Sequence, residues 1–161
     1  MTEAFWERFQ MKRLKGARRV RGSRRNEAIP CSGCLHLSAD PCENDRILMG
    51  VLEGRRTALV STMEQLHRQG REIMGGSRYY ILLDSADEPR AVVQCTGAHT
   101  VEYRRMPTDW ALQEGEENSL QAWQARWRTV FLQEAREKGV PLSLENKLLL
   151  TELFTLAYSE E

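Results

Sequence analysis

The side chains best suited to soft-metal or redox chemistry are four cysteines, three of which crowd one stretch: Cys31, Cys34 and Cys42, with Cys95 far along the chain. Cys31-Ser32-Gly33-Cys34 is a CxxC, but a zinc ribbon needs a second ligand pair, and only His36 and Cys42 lie near enough to supply one. Leucine rather than histidine follows Cys34, so c-type haem attachment has no support. A redox CxxC belongs in a thioredoxin-like βαβ pattern, which this sequence does not present. Two readings stand: free thiols in a reducing cytosol, or a zinc site of Cys31, Cys34, His36 and Cys42. His67 and His99 have no metal-ligand spacing. The working expectation is no metal and no cofactor.

Phosphate chemistry is the other candidate. Lys/Arg and Asp/Glu balance at 23 each, yet residues 1–30 carry nine bases against three acids, leaving fourteen against twenty. Arg18, Arg19, Arg21, Arg24 and Arg25 cluster there. Guanidinium forks match phosphate oxygens better than ammonium does, so this stretch has the form of a polyanion-binding arm. The alternative is a solvated face docked on the acidic remainder of the chain.

A length of 161 residues suits one domain, and 41% hydrophobic residues are enough for one core. No apolar run approaches the roughly 18–20 residues of a membrane span, and the N-terminus lacks the apolar stretch of a secretory signal. The chain is therefore expected to be soluble and cytoplasmic, without a membrane partner. A basic helix and arm at 1–30 would precede the domain proper at 31–161. The sequence leaves the oligomeric state open.

Helical spacing places Phe5, Trp6 and Phe9 on one face of a first helix capped by Thr2. Residues 30–41 read as irregular, with at most a short strand at Leu35-His36-Leu37. Ile47, Leu48, Val51 and Leu52 recur as in a helix beginning near Asn44 and stopping at Gly54. Ser61-Thr62-Met63-Glu64 has the form of a capping box for a short helix ending at Gly70. Residues 79–84 and 90–96 read as a hairpin, with a break at Gly97 before a further strand to Arg104. Asn118 or Ser119 caps the clearest helix, whose Leu120, Trp123, Trp127, Val130 and Phe131 form a core-facing stripe ended by Gly139 and Pro141. Tyr79 and Tyr80 read as strand residues, and both tryptophans as core. Propensity leaves residues 148–158 undecided between helix and strand. The expected fold class is α+β, mostly antiparallel, with helices near 44–53, 62–69 and 119–138.

Three stretches together carry a resemblance: residues 47–61 with Gly54-Arg55-Arg56-Thr57-Ala58; residues 81–96; and Glu114-Gly115-Glu116-Glu117-Asn118-Ser119-Leu120 followed by Trp123. Over roughly residues 35–158 the chain resembles the ASCH domain family of the PUA-like superfold. There a helix ends at a Gly-x-Lys-Thr loop, a hairpin follows, and an acidic Glu-Gly-Glu loop runs into a Ser-Leu-x-x-Trp helix. Residues 152–158 are similar to the family's closing strand, which turns the undecided tail toward strand. The Arg-rich arm has no counterpart in the family.

The resemblance implies a small, PUA-like β-barrel with flanking helices and a cleft between the basic and acidic loops, a fold used to engage RNA or nucleosides. Some members hydrolyse an acylated cytidine nucleoside through a Lys, a Thr three residues later and the second Glu of the acidic loop; others are described as ribonucleases. The matching ligand positions here are Arg55, Arg56, Thr57, Glu116 and Ser119, joined by the arm arginines. Glu116, Thr57 and Ser119 are the catalytic candidates if the chain is an enzyme. Two positions depart: Arg56 stands for the lysine and Leu59 for the second threonine. Arginine, whose pKa lies far above the neutral range, cannot serve as a base near neutral pH. An RNA- or nucleotide-binding module is the expected function. A hydrolase acting on RNA or a modified nucleoside is the alternative, and a protein-interaction domain using the basic arm is a third.

Overall fold

A computed structural model of the chain describes residues 1–17 and 28–160. Arg18, Arg19, Arg21, Arg24 and Arg25 lie outside the described residues. The elements run α1 (Thr2–Ala17), β1 (Cys31–Leu35), α2 (Pro41–Leu52), β2 (Ala58–Thr62), α3 (Met63–Gln69), β3 (Tyr79–Leu83), β4 (Pro89–Glu102), α4 (Thr108–Leu112), α5 (Leu120–Lys138) and β5 (Leu148–Ser159), with a 3-10 turn at Tyr103–Arg105.

The five strands form one sheet in the order β1-β3-β4-β5-β2. Among the described residues only β1 and β3 pair parallel; the other ladders are antiparallel. The α+β class and the mostly antiparallel sheet are as expected, but the expected barrel is not closed. Strands β1 and β2 are its two edges, and no ladder joins them among the described residues. The long β4–β5 ladder carries bulges at Val92/Val93 and between Cys95 and Gly97, and bulges bend a strand and deepen its twist. Inside the resulting curl, Leu35 and Leu37 share one core with Leu59, Phe154 and the Ile47, Leu48 and Val51 face of α2. Side chains of this shared core, rather than a backbone ladder, connect the two edges.

Local departures from expectation have local causes. Helix α2 starts at Pro41 rather than near Asn44, because Asp40 accepts the Cys42 N–H and proline suits the first helical position. Asn44 is instead buried and takes the Leu37 N–H at 2.6 Å. The capping box sits one residue later than read: Thr62, the last residue of β2, caps α3 and Gln65 completes the box. Strand β4 continues through Gly97, which pairs with Leu153 just after the bulge, instead of breaking. Strand β1 begins at Cys31, earlier than the Leu35-His36-Leu37 strand read from propensity.

Helices cover both faces. Phe5 and Phe9 of α1 pack on Ile81, Val92 and Tyr158, so the N-terminal helix is docked on the sheet. Trp123, Trp127 and Phe131 of α5 pack on Val60, Tyr103 and Leu149. The segment after α3 is pinned by a buried ion pair. Arg71 makes two hydrogen bonds to Glu152 at 2.9 and 2.6 Å, and the Met74 N–H adds a third at 2.8 Å. No helix among the described residues is long and apolar enough to cross a membrane.

Candidate functional site

Glu53 ends α2 and Gly54, at φ 79°, turns the chain back, so that the Arg55 and Arg56 N–H groups both reach the Gly50 carbonyl. The Thr57 N–H then donates to the Gln113 carbonyl at 2.8 Å, and the Thr57 carbonyl accepts from Phe154 N–H at 3.0 Å. Backbone bonds thus join the basic segment to both β5 and the approach to the acidic loop.

Arg56 turns inward and is only 4% exposed. Its guanidinium donates to the Ala58 carbonyl at 3.3 Å, to Glu114 at 3.4 Å and, through a short bond, to Glu116. Glu116 also receives Arg46 at 2.7 Å, and Arg46 grips Glu43 one turn away through two further bonds. Glu114 is buried deepest of the acidic run. One of its oxygens accepts the Trp123 indole N–H at 2.7 Å, the Trp127 indole N–H at 2.8 Å and Arg126 at 2.9 Å. Arg126 bonds Glu117 as well. Three arginines and four glutamates therefore form one network, with net charge −1 if all are ionised.

Against this network lies a cleft of about 170 Å³, walled by Leu37, Leu59, Gln65 and Trp127 beside the charged groups. A second cleft of about 490 Å³ runs along β1 and shares Ser38 and Gln69 with the first, so the two meet at the sheet's open seam. Burial disfavours a charge on Glu116, but the Arg46 hydrogen bond and the Arg56 and Arg46 charges outweigh it and hold the carboxyl below its ordinary value of 4.5. Glu116 is ionised at neutral pH and its side chain keeps 20% exposure, which makes it a fixed acceptor beside Arg46 and Arg56, the arginines that line the cleft.

Arg56 and Glu116 come together as the resemblance implied. The other sequence-predicted positions are placed differently. Arg55 points outward to Glu53 at 2.6 Å, and the Thr57 hydroxyl donates to Gln113 at 3.2 Å; neither lines the cleft. Ser119 caps α5, accepting the Ala122 N–H at 3.1 Å. Ser119→Ala is therefore expected to cost about 1 kcal/mol, or about 2–4 °C in Tm, while leaving ligand affinity unchanged. Thermal melts and a binding titration of the same variant check this; a lost affinity with an unchanged Tm would mean the hydroxyl touches the ligand.

Sequence reading missed Glu114, Arg46, Glu43 and Arg126. One signal was available for Glu114: two buried indole N–H groups four residues apart need an acceptor. Both tryptophans are buried, at 0% and 3% exposure, in keeping with their core assignment. Among the described residues no group of three or more His, Cys, Asp or Glu side chains is arranged to hold a metal.

An ASCH domain family model matches residues 34–158. Among solved structures, the fold is similar to an ASCH domain from Lactobacillus crispatus JV V101 at 23% identity and a TM-score of 0.62, covering 94% of this chain and 95% of that one. It is also similar to protein EF3133 from Enterococcus faecalis V583 at 18% identity and a TM-score of 0.60, covering 93% and 86%. At these identities the likeness is one of fold. No curated protein matches the sequence.

Proposed function

The chain belongs to the ASCH domain family, and from that premise we propose that it is an RNA- or nucleotide-binding module whose recognition cleft lies between the Arg56 segment and the Glu116 loop. The observation that carries this reading is the ionised, partly open Glu116 carboxylate held between Arg46 and Arg56, the two arginines that line a cleft of about 170 Å³, room for one planar base. A carboxylate accepts hydrogen bonds from exocyclic amino groups, and Arg46, half exposed beside it, donates to ring or carbonyl acceptors. The arm arginines would add phosphate contacts that carry no sequence information. A hydrolase has narrower support. Arg56 is held by three acceptors, arginine as a residue type is no base near neutral pH, and Leu59 brings no hydroxyl to the cleft, so of the three matched positions only the Glu116 carboxylate remains.

The test is a titration of single-stranded RNA and free nucleotides against an equally charged polyacid. Glu116→Gln and Arg46→Ala are each expected to weaken RNA or nucleotide binding about 10- to 100-fold, the scale of a hydrogen bond to a charged group. Changing the five arm arginines to alanine should flatten a log–log salt slope of roughly −2 to −3.5, at about −0.7 per phosphate contact. The pH dependence follows from the depressed Glu116 pKa. Its contribution is complete above the ordinary 4.5 and is lost only as pH falls through the lower folded value, so affinity stays level through the weakly acidic range. Equal affinity for the polyacid, or unchanged binding in both cleft variants, would favour a protein-interaction domain instead.

A further inference from the structure

We propose that Cys31 and Cys34 form a dithiol site that reacts as a unit with low-molecular-weight disulfides. In a regular strand, residues three apart project to opposite faces. Here the β1–β3 register steps from Cys31↔Tyr79 to Cys34↔Ile81, three residues on β1 against two on β3. That extra residue is a bulge, and it cancels the alternation. Both cysteines consequently line one groove of about 270 Å³, between the unpaired edge strand and the Thr2, Trp6 and Glu7 side of α1.

The two thiols share this groove, and the Cys31 thiol donates to the Gly33 carbonyl at 3.5 Å. Both residues are exposed, whereas Cys95 is buried in the core. Cys42 is exposed too, but it sits at the start of α2 and does not line this groove. Burial, and then the neighbouring Cys31, raise the Cys34 thiol above its ordinary value. A thiol raised in this way is the poorer first nucleophile, so the first attack is assigned to Cys31.

The chemistry is a two-step exchange. The Cys31 thiolate attacks one sulfur of the small disulfide; that S–S bond breaks, one thiolate leaves and takes up a proton, and a mixed disulfide remains on Cys31. Cys34 then loses its proton and attacks the Cys31 sulfur, expelling the second thiolate. The two protein thiols lose two electrons and two protons, and the small disulfide is reduced to two thiols.

The experiment treats the full chain with oxidised glutathione and reads intact mass and non-reduced peptide maps. The expected product has lost two hydrogens, retains no glutathione and carries a Cys31–Cys34 cross-link, also in a Cys42→Ser, Cys95→Ser background. Cys34→Ser should trap one glutathione on Cys31, because nothing remains to expel it. Glutathione retained on Cys31 or Cys34 of the unaltered protein, a cross-link through Cys42, or two thiols left unreacted would each overturn the proposal.

Discussion

Gly115→Ala is expected to lower stability by about 3 kcal/mol, which for a chain of this size is about 6–12 °C in Tm, and to abolish ligand binding with it. Gly115 sits at φ 73°, where an L side chain costs about 1–2 kcal/mol. A Cβ there would also stand 2.3 Å from the Arg55 carbonyl oxygen and 2.8 Å from its carbon. Those are backbone atoms and cannot swing aside, so the acidic loop must withdraw. Withdrawal strains the Thr57–Gln113 backbone bond and pulls Glu114 and Glu116 away from Arg56. Gly54→Ala is the control. Gly54 has a similar φ of 79° but no atom within 4 Å of the added Cβ, so only the conformational cost of about 1–2 kcal/mol applies. Chemical denaturation of the two variants separates the terms; equal losses would mean that the contact with Arg55 carries no weight.

Glu114→Ala is expected to cost about 3–5 kcal/mol, the range found when one partner of a buried ion pair is removed. Glu114 is 3% exposed and accepts from Arg56, Arg126 and both indoles; truncation takes one of the buried Arg56 guanidinium's two carboxylates and leaves two buried indole N–H donors without their acceptor. Trp123→Phe in the same network removes one donor and leaves the carboxylate served by the others, so about 1 kcal/mol is expected from the lost bond. Adding Arg56→Met to Glu114→Ala removes the buried charge that has lost one of its carboxylates and should recover part of the loss, giving a clear interaction energy in the double-mutant cycle. Independent, additive costs in that cycle would show that the two side chains do not depend on each other for burial.

Much of the architecture was legible because its signals are local. The apolar stripe of Trp123, Trp127 and Phe131 between Ser119 and Gly139 marks α5, and the turn formers at 85–89 mark the hairpin, since caps, turns and helical periodicity act within a few residues. Other features depend on partners far along the chain. Residues 148–158 are apolar enough for either structure, and become a strand because β4 and β2 pair with them on both sides. Whether the curled sheet closes is likewise a matter of how its two edges meet, not of any one segment.

The site divides the same way. The residue types were on the page: a basic Gly-Arg-Arg-Thr turn, an acidic run of three glutamates, and two tryptophans four apart. Their division of labour was not. Glu114, Glu116 and Glu117 are chemically identical and lie within four residues, yet Glu114 is buried under the indoles, Glu116 bridges Arg56 and Arg46 at the cleft, and Glu117 pairs with Arg126. Burial assigns those roles, and burial is set by where α5 and the Arg56 turn dock against the loop. The CxxC behaves alike: its spacing alone left metal and free thiols open, and a bulge against β3 brought the two sulfurs to one side. Local sequence sets which groups are available and where helices and turns form. The environment that decides what each group does comes from contacts between segments distant in sequence, and only the folded chain supplies it.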